Sequence, residues 1–150
     1  MINLYCKNID YSQRKEEDMK NIIFALIAIS VAACTHVPQE LDGQQVFFAF
    51  NSADISADAK KDLQSQALYM KQNPDQDITI QGRCDERGST EYNLALGALR
   101  AGNAAHVIIH DGIEPERIKT ISYGKEKPIY PGTGEEVWAK NRNATTVVQK

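Results

Sequence analysis

Twenty residues, Gly82 to Ala101, constrain the fold of this 150-residue chain more than any other segment. They read GRCDERGSTEYNLALGALRA. The preceding Ile78-Thr79-Ile80-Gln81-Gly82 alternates as a half-buried strand does. A tight turn, Glu86-Arg87-Gly88-Ser89-Thr90, then reverses the chain, and Thr90 is placed to cap a helix. Along that helix Leu94, Ala98, Ala101, Ala105 and Ile108 recur at steps of four and three, predicting a core face of small residues that lets the helix lie close to a sheet. Asn93, Leu96 and Arg100, at i, i+3 and i+7, form a second stripe aimed at the strand end that carries Asp85. Asp85 can accept from an ammonium, and Arg100 can grip a carboxylate with two parallel hydrogen bonds. Phe50 supplies an apolar wall. One acid and one base held apart on rigid elements suit a small zwitterion better than bond-breaking chemistry.

The remainder of the chain alternates strands with helices. Gln45 to Phe50 is a β-branched and aromatic run that reads as a first strand, broken by Asn51 to Asp54. Ser56 caps a helix over 57–72 whose buried stripe is Leu63, Ala67 and Met70, and Asn73-Pro74 stops it. Asp111-Gly112 ends the second helix. Ile118 to Tyr123 is a third strand, 124–133 a long Gly- and Pro-rich loop, 135–140 a short helix and Ala144 to Val148 a last strand. Such alternation implies crossover connections and a sheet with helices packed on it. With 42% hydrophobic and 25% charged residues, one globular domain is expected. A net charge of −3 without a basic run disfavours a nucleic-acid partner.

The three cysteines, Cys6, Cys34 and Cys84, are too few for a disulfide framework. Lys20 followed by the apolar Ile22 to Ala33 has the length of a signal-peptide core and is too short for a stable membrane span. Val31-Ala32-Ala33-Cys34 resembles the lipobox of bacterial lipoproteins, which predicts lipidation at Cys34. Residues 1–18 are polar and mixed in charge, so translation is expected to start at Met19, leaving 1–18 outside the made protein and 19–33 as signal peptide. Residues 34–44 are then a lipidated cysteine and tether, reaching at most about 35 Å, and 45–150 the folded domain. Several acyl chains on one residue anchor stably. Thr35, rather than Asp, after the lipidated cysteine points to the outer membrane, with the domain facing the periplasm.

Gly82 to Gly97 closely resembles the OmpA-like peptidoglycan-binding domain, and within it the peptidoglycan-associated lipoproteins. Ile121 to Pro128, Trp138 to Arg142 and Val46 to Ile55 resemble its other signatures, so the resemblance spans about 45–148. It implies an α+β fold, βαβαβ(α)β, with a mixed four-stranded sheet and helices packed on one side. It also implies binding of the meso-diaminopimelate of the peptidoglycan stem peptide. By that resemblance Asp85 meets the ligand's ammonium and Arg100 its carboxylate. Leu96 and Phe50 flank it, Asn51 and Asn93 give polar contacts, and Arg142 and Gly88 support the site. The partners implied are peptidoglycan and TolB, in a Tol–Pal role in envelope integrity and cell division. Four positions depart from the family's pattern: Asn51 where Asp is usual, Arg83 where His or Asn is usual, Leu99-Arg100 for Arg-Arg, and Asn141-Arg142-Asn143 for Asn-Arg-Arg. These keep open an OmpA-like lipoprotein outside the Tol system.

Plainer and rival readings of the same residues exist. Asp85 and Arg100 could pair with each other as a surface ion pair, and Arg87 reads as a brace for the turn. Cys84 with His106 or His110 would make a periplasmic cysteine hydrolase, although nothing suggests a lowered thiol pKa and a small buried thiol fits better. His106 and His110 have metal-ligand spacing without an evident third ligand, so neither a metal nor a cofactor is expected.

Overall fold

The computed structural model describes residues 40–149. The signal-peptide, lipidation and start-site expectations, Cys34 among them, lie outside the described residues. The elements are β1 (Gln45–Phe47), α1 (Ala57–Gln72), β2 (Ile78–Arg83), α2 (Thr90–His110), a 3₁₀ turn (Pro115–Arg117), β3 (Ile118–Gly124), α3 (Glu135–Asn141) and β4 (Asn143–Val148). The four strands form one mixed sheet in the order β1-β4-β2-β3. β4 runs antiparallel to both neighbours, Val46 opposite Ala144 and Ile80 opposite Thr146, whereas β2 and β3 are parallel and joined through α2. The fold is therefore α+β, a four-stranded open sheet with three helices, of which α1 and α2 pack on it.

The core lies between one sheet face and the first two helices. Val46, Ile78, Ile80 and Ala144 meet Leu63, Ala67 and Met70 of α1 and Ala101, Ala105 and Ile108 of α2. Ser56 caps α1 by accepting from the Ala59 N–H at 3.1 Å. The cap of α2 is Ser89, one residue before the expected Thr90: its hydroxyl accepts from the Tyr92 N–H at 3.2 Å, and its extended backbone (φ −74°) leaves Thr90 as the first helical residue.

Two expectations shift once the packing is visible. The first strand leaves the ladder after Phe47 instead of continuing to Phe50, because its partner β4 begins only at Asn143; Phe48 N–H still donates to Arg142 O at 2.9 Å before the chain turns away. The inward stripe of α2 is also rotated. Leu94 is 40% exposed and Ala98 is exposed, whereas Asn93, Gly97, Arg100 and Ala104 are buried alongside Ala101, Ala105 and Ile108.

The rotation has a steric cause. Gly97 of α2 lies against Gly82 of β2: a Cβ on Gly82 would sit 1.9 Å from Gly97 O, and one on Gly97 would sit 2.3 Å from Ser122 Oγ. This close approach turns Asn93 and Arg100 inward, toward the end of β2. Gly82→Ala is accordingly expected to destabilise the chain by about 3 kcal/mol in urea unfolding, because a backbone carbonyl must move. Gly97→Ala should cost less, since the Ser122 hydroxyl can rotate at the expense of its 2.7 Å bond to Leu94 O.

Candidate functional site

After Arg83 the chain leaves β2 through a turn fixed at several points. Cys84 N–H donates to Gly124 O at 2.8 Å, prolonging the contact with β3. Asp85 Oδ1 accepts from the Arg87 N–H at 3.1 Å, the side-chain-to-backbone bond that closes an Asx turn. Gly88 has φ +89°, a conformation open to glycine, and Lys125 Nζ donates to its carbonyl at 2.6 Å. Asn93 reaches back from α2 and gives both amide hydrogens to the turn, to Arg87 O at 2.7 Å and Ser89 O at 2.9 Å. A buried asparagine used this way is a clamp, leaving its own carbonyl oxygen as the atom it can still offer.

Asp85 is 5% exposed and heavily engaged. Arg87 Nε donates to Oδ1 at 3.2 Å and Nη2 to Oδ2 at 2.7 Å, while Arg142 Nη1 donates to Oδ2 at 3.3 Å. Burial works to raise this carboxyl's pKa. The hydrogen bonds from the Arg87 side chain and backbone, and from Arg142, outweigh it and hold the group below the ordinary aspartate value. Arg142 is itself fixed: Nε donates to Phe48 O at 3.1 Å and Nη2 to Glu135 Oε1 at 2.8 Å.

Arg100 is 1% exposed. Nε donates to Ser52 O at 2.9 Å, Nη1 to Arg83 O at 2.9 Å and Nη2 to Ala49 O at 3.2 Å. No carboxylate lies within ion-pair distance of it among the described residues. Burial, aided by nearby Arg142, lowers its pKa against the opposing pull of Cys84 and Asp85, yet a guanidinium stays ionised in a protein. The site thus holds a buried cation that donates to three backbone carbonyls and has no carboxylate in direct contact. Two of its five N–H groups are not taken by these carbonyls, and the Cys84 side chain lies within reach of the guanidinium.

Arg100 and Asp85 open on one cavity of about 260 Å³. Phe50, Tyr92 and Leu96 form its apolar walls, and Asn51, Gly88 and Asn93 line it with polar or backbone atoms. Asn51 adopts a left-handed conformation, φ +54°, which asparagine tolerates better than most residues. Its Oδ1 accepts from the Tyr92 hydroxyl, linking the β1–α1 turn to α2 across the rim. Phe50, 59% exposed, covers one face of the Arg87 guanidinium at 4.1 Å, and Trp138 of α3 covers another at 4.3 Å. Trp138 Nε1 also donates to Glu86 Oε1 at 2.9 Å. The cavity is smaller than the roughly 300–1,000 Å³ of sites for drug-sized ligands, a size suited to one charged head group.

The structure brings Asp85, Arg100, Leu96, Phe50, Asn51, Asn93 and Gly88 to one cavity and sets Arg142 behind Asp85. Asp85 and Arg100 do not pair with each other; the acid's partners are Arg87 and Arg142. Arg87 braces the turn and also lines the cavity. Tyr92 and Trp138 escape a reading of the sequence alone, although Tyr92 lies one helical turn before Leu96 on the same face. The hydrolase reading finds no geometry: Cys84 is buried with its thiol on Asn93 O at 3.4 Å, burial pushes its pKa up, and His106 and His110 are exposed with neither hydrogen-bonded to the sulfur. Among the departing positions, Arg83 donates to Gln81 and Lys127 O and stacks on Tyr123 at 5.0 Å, away from the cavity. Asn143 is buried and bonded to Lys140 O and Thr145, whereas Leu99 is 59% exposed and does not line the cavity.

The OmpA family matches residues 47–142, and the chain belongs to that family. It is 45% identical over 106 residues to the peptidoglycan-associated lipoprotein of Agrobacterium fabrum (71% of this chain, 60% of that protein). It is 35% identical over 96 residues to that of Pseudomonas putida (64% and 57%). The chain spans about 60% of the length of the curated relatives it matches. Among solved structures, the peptidoglycan-associated lipoprotein from Burkholderia pseudomallei superposes with a TM-score of 0.68 at 40% identity, covering 71% of this chain and 90% of that one. The C-terminal domain of Helicobacter pylori MotB, at 23% identity and a TM-score of 0.67 (71% and 84%), shares the fold alone.

Proposed function

We propose that this chain is a non-catalytic module that binds peptidoglycan non-covalently through the diaminopimelate of its stem peptide. One observation carries the reading: a buried, ionised Arg100 with no directly paired acid and two N–H groups not taken by carbonyls opens on the same cavity as the carboxylate of Asp85. A buried cation left in that condition gains most from a ligand carboxylate that forks onto it. A cation at the Asp85 end completes the pattern of an amino-acid head group. Relatives named peptidoglycan-associated lipoprotein support peptidoglycan as the polymer bound.

A specificity follows from the two poles. Diaminopimelate carries a second ammonium and carboxylate on one carbon, whereas a lysine side chain in the same place has the ammonium alone. Purified sacculi of the diaminopimelate type should sediment the full chain, and lysine-type sacculi should retain it at least about thirtyfold less well, the cost of leaving Arg100 without its anion. Amidation of that carboxylate should act in the same direction. Equal retention on both wall types would overturn the assignment.

The envelope placement completes the proposal. Translation from Met19, cleavage after Ala33 and acylation of Cys34 would anchor the chain in the outer membrane with its domain in the periplasm. The tether would then hold that domain within reach of the wall. Membrane fractionation of wild type and Cys34→Ala tests the anchor, and intact-mass analysis of the precursor tests the start site. TolB is the protein partner this reading favours, within a Tol–Pal system serving envelope integrity and division. A second reading, an OmpA-like lipoprotein outside that system, draws on exposed Leu99, where the family's pattern has Arg. Failure to co-purify with TolB would select it.

A further inference from the structure

Resting on the peptidoglycan reading, we infer that Arg87 is a built-in occupant of the ammonium subsite. Its guanidinium stands against Asp85 where the ligand's ammonium must bind, and it leaves when the ligand enters. The acceptor capacity of Asp85 carries this. A carboxylate offers about four lone-pair sites. Four donors already use them: Arg87 N–H and Nε on Oδ1, Arg87 Nη2 and Arg142 Nη1 on Oδ2. An ammonium brings three more donors and finds none of those sites free.

The four donors differ in how easily they can withdraw. The Arg87 N–H belongs to a turn clamped through its own carbonyl by Asn93. Arg142 is buried and held at both ends, on Phe48 O and Glu135. The Arg87 side chain is 34% exposed and reaches Asp85 from the open side. It also has somewhere to go. Glu135 Oε2, on an exposed side chain, already lies 3.6 Å from Arg87 Nη2, and Glu86 lies close enough to act on its charge. Phe50 and Trp138 sandwich the guanidinium at 4.1 and 4.3 Å, so it can slide outward with its faces still covered.

A threshold for binding results from this arrangement. A simple amine must displace Arg87 with the Asp85 contact alone and gains nothing elsewhere. A ligand that also places a carboxylate on Arg100 has a second contact to drive the exchange. The occupant thereby lowers affinity for every amine by a common factor, which only a ligand with the second contact has affinity enough to overcome.

The chain contains a single tryptophan, Trp138, in contact with the group that moves. Full-length protein titrated with meso-diaminopimelate should change its tryptophan fluorescence as Arg87 withdraws. In Arg87→Gln that change should be lost, while calorimetry reads binding about three- to tenfold tighter. A carboxylate-free amine such as cadaverine should gain by a similar factor and remain the weaker ligand. Arg87→Lys, which keeps the charge without the fork or the stack, should fall between wild type and Gln, and a thermal melt of each variant checks the fold. Unchanged or weaker binding in folded Arg87→Gln, or a silent Trp138 in wild type that demonstrably binds, overturns the inference and leaves peptidoglycan binding standing. Wild type that fails to bind diaminopimelate-type sacculi overturns both.

Discussion

Arg100→Ala should weaken binding of a diaminopimelate-containing muropeptide by about a hundredfold or more and lower the stability of the chain in the same substitution. Both losses have one origin. The guanidinium satisfies the carbonyls of Ala49, Ser52 and Arg83, which tie the segment after β1 and the end of β2 to α2. Its removal orphans three acceptors, each costing about 1–3 kcal/mol where water cannot reach. The two N–H groups left over are those available to a ligand carboxylate, and their loss leaves that carboxylate desolvated without a partner. Arg100→Lys separates the two effects. Lysine keeps the charge and loses the planar fork, so it should recover part of the affinity and little of the stability. Urea unfolding and calorimetry on the same preparations check this, and an alanine variant that binds at wild-type strength would refute the role of Arg100.

Asp85→Asn is the second large effect. The amide preserves shape but turns half of the group into a donor facing Arg87 and Arg142. The cost falls below the roughly 3–5 kcal/mol of breaking a fully buried pair, because Arg142 keeps Glu135 and Arg87 is 34% exposed to water. Ligand affinity should fall along with stability, since the ammonium loses its counter-charge. The pH dependence has a defined sign. The folded pKa of Asp85 lies below its unfolded value, so its contribution is fully present above the unfolded value, about 3.9, and is lost as pH falls through the depressed folded value. The stability gap between wild type and Asp85→Asn should therefore hold steady from neutral pH to about 4 and close below it. Urea unfolding at a series of pH values reads this directly, and a gap that closes near neutrality would contradict it.

The ends of the elements and the identity of the site residues differ in how far they could be read from sequence. The alternation of Ile78 to Gly82 and the stripe of Leu63, Ala67 and Met70 produce their strand and helix because local period and burial agree there. The sheet order does not follow from any local pattern: β4 inserts between β1 and β2 through contacts far apart in sequence. On α2 the apolar period pointed to Leu94 and Ala98, yet the helix turns Asn93 and Arg100 inward. Their burial is possible only because backbone carbonyls from β1's end and the turn meet them, and those carbonyls carry no sequence signal. The charge pattern misled in a similar way. Asp85 and Arg100 read as two free poles, whereas Arg87 and Arg142 neutralise the acid and leave the base as the unbalanced charge. Arg87's second role, against Asp85 and between two aromatic rings from distant segments, becomes visible only when α3 is placed beside the turn.

The central claim is that Asp85 and Arg100 together hold a wall-borne zwitterion. Sedimentation of the full chain with purified diaminopimelate-type sacculi, run beside Asp85→Asn and Arg100→Lys preparations shown to be folded, tests it most directly. Wild type should pellet with the wall while both variants remain largely in the supernatant. Retention of both variants at the wild-type level would contradict the account.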